Sequence, residues 1–295
     1  MTDTDDVLPW RRRPTRPVSA FVSRAARRAA EQLGIDIDAV AGTGTNGRVT
    51  RDDVLGATPA EAASDEVVPF NTVRRRAAQL LLASKHTSAH TLCVAVADYS
   101  AIEAVRSEHR TSWRVDEGFS LTYLPFVARA AVEALRAYPL VNAGINGDAL
   151  VVHRAINLGI AVDLDFQGLV VPVVRDADGL RLRALARAIN DVATRARARR
   201  LLPDDFAGGT FTITNPGASG TWISFPIINQ PQIAIVSTDG VSKQVVADAN
   251  GKLAIAPVGR LCLTFDHRAI DGAYAASFLD RIRTTIETRD WTTEL

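Results

Sequence analysis

Apolar residues recur at helical spacing near the start of the 295-residue chain, and at both helical and strand spacing over the rest of it. A first helix is predicted after residue 18, with Ser19 or Ser23 as its cap and Gly34 as its end. Its apolar face consists of Val22, Ala25, Ala26, Ala29 and Leu33. A second short helix is predicted over residues 50–55, with Thr50 as its N-cap.

The longer remainder of the chain alternates predicted strands with predicted helices. Pro125 stands at the first position of a helix that ends before Pro139. Helices are predicted over residues 73–82, 124–137 and 181–200, and strands over residues 92–97, 149–152, 156–164 and 169–174. Mixed strands and helices after a small helical module indicate an α/β two-layer sandwich.

Residues 261–272 combine a predicted strand, a polar turn and an amphipathic helix. Side chains alternate in character up to residue 265, which predicts a half-buried strand. Gly272 opens a helix with one apolar face, which consists of Ala275, Leu279, Ile282 and Ile286. The turn between these two elements carries His267 and Asp271, four residues apart.

His267 and Asp271 are candidate catalytic residues. Histidine is the side chain best suited to take and return a proton near neutral pH, and a nearby carboxylate can orient the groups around it. The alternative is structural: Asp271 caps the helix, and His267 is a hydrogen-bonded core residue.

Composition excludes several classes of function. The formal net charge is +1, with 47% hydrophobic and 23% charged residues, so no overall field favours nucleic acid or an anionic membrane. No run of about 18 apolar residues predicts a membrane span, and the acidic first residues do not resemble a signal peptide. Cys93 and Cys262 lie in apolar runs without metal-ligand spacing, which is typical of reduced thiols in a cytoplasmic protein.

Residues 266–272, Asp-His-Arg-Ala-Ile-Asp-Gly, resemble the D-H-R-x-x-D-G signature of the acyltransferase (E2) components of 2-oxo acid dehydrogenase complexes. Residues 211–215, 227–232 and 169–177 resemble further segments of that family, in the same order along the chain. The resemblance extends from about Pro17 to the C-terminus. It implies the fold of chloramphenicol acetyltransferase, a two-layer α/β sandwich, preceded by a small helical domain.

The glycine-rich stretch Gly-Thr-Gly-Thr-Asn-Gly-Arg at residues 42–48 lies between the two N-terminal helices. It has no preceding strand and no Gly-Lys-Ser/Thr ending, so it is not predicted to bind phosphate. With its flanking helices it resembles the peripheral subunit-binding domain of E2 proteins. The implied organisation is a disordered tail (1–16), this domain (17–56), a linker (57–66) and a catalytic domain (67–295).

The N-terminal part is basic, because residues 8–30 contain no acid. Its arginines are Arg11, Arg12, Arg13, Arg16, Arg24, Arg27 and Arg28. Such a patch fits an acidic partner surface, and in the family this domain docks another enzyme of the complex. The alternative is a solvated helix face.

The resemblance also implies roles for individual residues. His267 would be the general base, and the hydroxyl of Thr214 would donate to the oxyanion, although a threonine in a strand is also ordinary packing. Asp271 would pair with an arginine of the group that includes Arg74 and Arg76. Asn142 matches an asparagine near the family's substrate channel, and the catalytic domain would form a trimer with the site between subunits.

The sequence is compatible with three functions, because it departs from the family's pattern in three places. The chain contains no lipoyl-lysine motif. Leu80 and Leu81 replace the family's usual Arg-Met, and the segment 91–99 also differs from the family's pattern. We predict an acyltransferase that binds no cofactor and moves an acetyl group from acetyl-CoA to a hydroxyl or thiol, as in acetylation of a tetronate intermediate. The alternatives are an E2 core served by separate lipoyl domains, or a non-catalytic subunit that binds the E3 enzyme. Because such non-catalytic relatives often lack the active-site histidine, the presence of His267 favours an enzyme.

Overall fold

The computed structural model describes residues 21–57, 68–216, 220–247 and 250–295. The chain divides into two compact units, of which the second is Phe70–Leu295. The predicted tail (1–16) and the predicted linker beyond residue 57 lie outside the described residues, and the domain boundaries stay predictions. No helix within these described ranges is long and apolar enough to cross a membrane.

Two helices build the N-terminal unit, α1 (Arg24–Leu33) and α2 (Arg51–Gly56). Ser23 caps α1 by accepting from the backbone N–H of Ala26, and Gly34 ends it with φ at 68°. Both ends therefore agree with the sequence prediction, because glycine adopts the left-handed conformation without steric cost.

The predicted apolar face of α1 is only partly correct. The buried positions are Ala26, Ala29 and Ala30, which cluster with Ile35, Val49 and Val54. Ala25 and Leu33 are exposed, and Leu33 retains 46% of its accessible surface. The prediction for these two residues is wrong because a unit of two short helices covers only a narrow stripe of α1.

Asp53 on α2 fixes the glycine-rich loop. Its carboxylate accepts hydrogen bonds from the hydroxyls and backbone N–H groups of both Thr43 and Thr50. The bond from the Thr43 hydroxyl is the largest cause that holds the pKa of Asp53 well below its usual range. A side chain at Gly42 would meet the carbonyl oxygen of Gly47 at 2.4 Å, so the loop requires glycine there.

The second unit is organised around a six-stranded mixed sheet. The strands of this unit are β1 (His90–Asp98), β2 (Ala143–Asn146), β3 (Ala149–Val152), β4 (Leu158–Ile160), β5 (Val162–Asp163), β6 (Leu169–Val170), β7 (Val173–Val174), β8 (Phe211–Thr214), β9 (Ala234–Ala247) and β10 (Leu253–Asp266). The six-stranded sheet has the order β1-β10-β9-β8-β4-β7. Two further pairs, β2 with β3 and β5 with β6, form small antiparallel sheets.

Helix α3 (Thr72–Thr87) is mostly exposed, and Ser84 is its buried residue. The other helices of this unit bury their apolar sides on one face of the sheet, and they are α4 (Ser100–Glu117), α5 (Leu124–Ala137), α6 (Leu182–Arg197) and α7 (Gly272–Thr288). The core contains Phe126, Phe211 and Phe278, which are all fully buried. The predicted face of α7 is confirmed, since Ala275, Leu279, Ile282 and Ile286 are buried. A mixed sheet covered by helices confirms the predicted α/β class.

Sequence prediction located most of these elements and misjudged some of their limits. The helix over residues 124–137 is confirmed at both ends, whereas the helices predicted over 73–82 and 181–200 are α3 and a shorter α6. The strand predicted over 156–164 is wrong as one element, because Ile160 ends its pairing with β8 and Val162 pairs with β6 instead. Pro172, which lacks an N–H, likewise divides the strand predicted over 169–174.

The strand before the candidate turn is β10, and the prediction that it is half-buried is wrong. Every residue from Leu261 to Asp266 is buried. β10 lies between β1 and β9, with helices on one face, while Cys262 and Thr264 point to the other. The segment around Ile228 covers that second face, and Ser84 of α3 holds it by donating to the Ile228 carbonyl at 2.6 Å.

Asp266 closes the turn that follows β10. Its buried carboxylate accepts from the guanidinium of Arg268 at 2.7 Å and from the backbone N–H of Ala89 at 3.2 Å. The backbone N–H of His267 donates in return to the Ala89 carbonyl at 2.9 Å. Burial alone would raise the pKa of Asp266, but the bonds from Arg268, Ser88 and Ala89 outweigh it and lower the pKa to about 2.

Asp266 should therefore make folding stability fall in acid. A carboxyl whose folded pKa lies below its unfolded value stabilises the protein above about pH 4, and this stabilisation is lost as the pH falls towards 2. A depression of the size seen at Asp266 corresponds to about 2 kcal/mol. We expect Asp266→Asn to unfold more easily than the wild type at pH 6, and the difference to shrink towards pH 3 in urea titrations.

The matched control is Asp280→Asn, which breaks an exposed i,i+3 pair with Arg283. Exposed pairs contribute at most about 1 kcal/mol, so this variant should unfold nearly as the wild type does. A difference between Asp266→Asn and wild type that stays constant from pH 6 to pH 3 would contradict the assignment.

Candidate active site

His267 lies at the outer end of β10 with its imidazole exposed. Its ring stands 5.5 Å from the ring of Phe265, and neither ring nitrogen has a hydrogen-bond partner within the described residues. The alternative that His267 is a hydrogen-bonded core residue is therefore wrong. An exposed imidazole fixed through its backbone is available to accept a proton from a substrate.

Asp271 occupies the N-cap position of α7, but its side chain makes no capping hydrogen bond. It also makes no ion pair with Arg74 or Arg76 in the part of the chain that the structure describes. Arg74 donates instead to the carbonyl of Phe166 at 3.2 Å, and Arg76 is exposed on the same helix. The structure thus does not bring Asp271 together with the predicted arginines inside one chain.

Asn142 is buried, and its amide group holds a neighbouring segment. The side-chain nitrogen donates to the carbonyls of His153 and Ala155 at 3.0 and 2.9 Å. Two donated bonds fix the orientation of the amide and leave its oxygen buried without a partner among the described residues. Asn142 therefore has a clear structural role, and contact with a substrate stays a prediction.

Thr214 ends β8 and lines a cavity of about 370 Å³. Its hydroxyl has no hydrogen-bond partner among the residues described, so it can donate to a ligand. The cavity lies between the second face of the sheet, the covering segment and α3. Its walls include Leu80, Leu81, Ser224, Phe225, Ile227 and Ser237.

The register of the sheet separates Thr214 from His267. Thr214 is aligned with Ser237 of β9, and Ser237 with Cys262 of β10. Since His267 follows Cys262 by five positions, the two residues are about 16 Å apart along the strands and about 10 Å apart across them. One chain does not place both side chains around the same substrate atom.

Sequence reasoning missed a polar group behind the wall of this cavity. Ser224 and Ser237 line the cavity, and both donate to the buried carboxylate of Asp239 on β9. Ser224 is 15 positions from Asp239 in the sequence. Ser237 is two positions from Asp239, but the two residues form no recognisable motif. Only the alternation of β9, which puts Ser237 and Asp239 on one face, could have signalled the pair.

Neither cysteine is a candidate nucleophile. Burial raises the pKa of both thiols, and that of Cys262 reaches about 12. A thiol with such a pKa is protonated near neutral pH and is a poor nucleophile. Over the described ranges, no group of three or more histidine, cysteine, aspartate or glutamate residues could hold a metal ion.

Two family models match the chain. Residues 62–293 match the 2-oxoacid dehydrogenases acyltransferase (catalytic domain), and residues 21–55 match the e3 binding domain. The first match contains the whole sheet, the His267 turn and the cavity. The second contains α1, α2 and the glycine-rich loop.

Several curated relatives align with nearly the whole chain. The dihydrolipoyllysine-residue succinyltransferase component of the Pseudomonas aeruginosa 2-oxoglutarate dehydrogenase complex is 36% identical, over 91% of this chain and 71% of that protein. The lipoamide acyltransferase component of the Bacillus subtilis branched-chain complex is 32% identical over the same shares. The Corynebacterium glutamicum acetyltransferase component is 34% identical, but this chain spans only 45% of it.

Solved structures agree with this relationship. A probable dihydrolipoamide acetyltransferase from Listeria monocytogenes has a TM-score of 0.73 and 34% identity, over 76% of this chain and 95% of that one. The cubic core of a pyruvate dehydrogenase multienzyme complex has a TM-score of 0.73 and 31% identity, over 77% and 93%. The chain belongs to the 2-oxoacid dehydrogenase acyltransferase family and is an acyltransferase of the E2 type.

Proposed function

We propose that the protein transfers an acyl group between coenzyme A and a dihydrolipoyl thiol, as the acyltransferase component of a 2-oxo acid dehydrogenase complex. The observation that carries this proposal is the His267 turn, which holds an exposed and unpartnered imidazole at the end of a buried strand. Histidine at that place is the group that the transfer requires, because the attacking thiol must lose its proton.

In the proposed reaction, the imidazole of His267 takes the proton from the acceptor thiol. The resulting thiolate attacks the thioester carbonyl, and the new carbon–sulfur bond leaves a negative charge on the carbonyl oxygen. The hydroxyl of Thr214 donates a hydrogen bond to that oxygen. When the intermediate collapses, the bond to the departing sulfur breaks, and that sulfur receives the proton from His267.

We further propose that each site lies between two subunits of a trimer. The sheet register supports this, since Thr214 and His267 of one chain are too far apart to act on one carbonyl. In a cyclic trimer the same contact repeats around the axis, so every Thr214 can face the His267 of a neighbour. Asp271 and the arginines Arg74 and Arg76 can meet in the same way, which would explain why they are unpaired with each other in one chain.

The comparisons favour this function over the tetronate acetylation predicted from the sequence. The relatives named above are lipoyl-dependent acyltransferases of dehydrogenase complexes, and the catalytic match covers residues 62–293. Presence of His267 argues against a purely structural E3-binding subunit. Coenzyme A is a substrate in this proposal, not a resident cofactor.

The N-terminal unit is proposed to dock a partner enzyme of the complex. It matches the e3 binding domain, and Arg24, Arg27 and Arg48 are all exposed. No ion pair to any of these arginines is present within the described residues. Exposed and unpaired arginines fit an acidic surface on the partner.

We expect His267→Ala to lower kcat by about 10²–10⁴, because the general base is removed. The measurement is acyl transfer from acetyl-CoA to dihydrolipoamide and to dihydrolipoyl groups on a separate lipoyl domain. His109→Ala, on α4, is the control and should keep wild-type kcat. Retention of more than about a tenth of kcat by His267→Ala would refute the base assignment. Turnover confined to an alcohol acceptor would restore the tetronate alternative.

Mixed trimers test the position of the site. Chains that carry His267→Ala should be inactive alone, as should chains that carry Thr214→Ala. When the two are co-expressed in equal amounts, a site between subunits regains both groups at about a quarter of positions, as random cyclic assembly requires. The measurement is kcat per site of the mixture. If each chain holds its own site, the mixture will stay as inactive as its components, and light scattering will show whether trimers formed.

A further inference from the structure

Asp239 is a buried carboxylate beside the cavity that Thr214 lines. It lies on β9 with 1% of its surface accessible. Its oxygens accept from the Ser224 backbone N–H at 2.5 Å, the Ser224 hydroxyl at 2.8 Å and the Ser237 hydroxyl at 2.5 Å. The thiol of Cys262 donates to it at 3.3 Å. An ionised carboxylate only accepts hydrogen bonds, so each of these groups uses its proton in a hydrogen bond to Asp239.

These hydrogen bonds to Asp239 determine which hydrogen-bonding groups the cavity wall presents to a ligand. Ser224 and Ser237 can offer only oxygen lone pairs to the cavity, because each hydroxyl has a single proton. Thr212, a third hydroxyl in the wall, donates in the same manner to the side-chain oxygen of Gln232 at 2.6 Å. Thr214 alone among these hydroxyls keeps its proton available, and the proposed reaction uses it for the oxyanion.

The described lining of the cavity also contains no cation. None of the described residues that line it is basic. Two cations lie near residues of the wall but do not line the cavity: Arg260 is aligned with Asp239 in the sheet register and stacks on Trp222, with its guanidinium 3.2 Å from the ring centroid, and Lys85 lies over the Phe225 ring, 5.3 Å from its centroid. A neighbouring subunit that supplies His267 would also bring Arg268, but that guanidinium is already paired with Asp266.

We propose that this cavity selects an uncharged acyl group, such as acetyl or a short aliphatic chain, and rejects one that ends in a carboxylate, such as succinyl. The inference rests on the proposed function, because the acyl substituent lies in the cavity only if Thr214 contacts the carbonyl. A carboxylate placed there would face lone pairs and the buried charge of Asp239, and none of the described lining residues would supply a cation to replace its water. Apolar walls from Leu80, Leu81 and Phe225 suit an aliphatic chain.

The proposal separates this protein from several of its relatives, which are named succinyltransferases. Asp239 acts here as a positioning residue: it touches no substrate and acts through Ser224 and Ser237. It also anchors the segment that carries Phe225, since Ser224 donates to it through both backbone and side chain.

The test compares acetyl-CoA, succinyl-CoA and the methyl ester of succinyl-CoA as donors to dihydrolipoamide, using the full chain. The ester has nearly the size of succinyl but no charge, so it separates charge from volume. We expect kcat/KM for succinyl-CoA to be at least about 100-fold below that for the ester, as for an uncompensated buried charge. In Asp239→Asn the serine hydroxyls can rotate towards the cavity and the negative charge is removed. The ratio of kcat/KM for the ester to kcat/KM for succinyl-CoA should therefore fall about tenfold or more.

Cys262→Ser is the matched control, because residue 262 also donates to Asp239 but does not line the cavity. It should leave the ratio between succinyl-CoA and its ester unchanged. A merely structural role for Asp239 would lower kcat/KM for every donor alike and leave the ratio as in the wild type. Equal use of succinyl-CoA and its ester by the wild type would overturn the inference while leaving the proposed function in place.

Dissociation constants for succinyl-CoA and its ester, measured by calorimetry, give a second readout that does not need turnover. Absence of transfer from every donor would refute the proposed function. Weaker binding of succinyl-CoA than of its ester would then still support a cavity that excludes carboxylates, and equal binding would refute it.

Discussion

The carboxylate of Asp266 is the interaction on which the geometry of the candidate site depends. It sits at the end of β10, where the chain must leave the centre of the sheet and enter α7. Burial there is unfavourable for a charge unless donors surround it, and Arg268, Ser88 and Ala89 supply them. The reciprocal bond from His267 to the Ala89 carbonyl completes the clamp, so the imidazole is held through its backbone and its side chain stays free.

The sheet divides the chemistry of the domain between its two faces. One face carries large apolar side chains such as Phe211 and Phe265, and helices cover it as an ordinary core. The other carries hydroxyls and a carboxylate, including Thr214, Ser237 and Asp239. An irregular segment that follows β8 covers this face; Ser237 and Asp239 are buried, and Thr214 is partly buried. Polar groups on a covered face remain stable because they bond to one another, and this bonding also fixes which protons are left for a ligand.

Distance along the sheet supports the proposal that the enzyme acts as an assembly of subunits. Thr214 is level with Cys262 in the register, whereas His267 comes after the end of the same strand. Lengthening or shortening a loop does not change that register, because side-chain alternation and the buried face fix it. The proposed reaction would therefore need a contact between subunits, because a single folded chain holds Thr214 and His267 at separate places.

Sequence by itself determined the helical and strand elements with strong periodicity, the cap Thr50, the α/β class and the family, because these depend on local chemistry and on motifs within short stretches. It left Ser19 and Ser23 open as the cap of α1, and the structure decided for Ser23. The sequence also located His267, which lies in a compact motif. Tertiary structure alone decided that β10 is buried on both faces, that residues 156–164 switch between sheets at Ile160, and that Asp271 lies apart from Arg74. The tertiary structure alone brought Ser224 into contact with Asp239. Contacts between residues far apart in the chain depend on the order of the strands and on the segments that cover the sheet, and no local sequence pattern encodes either of them.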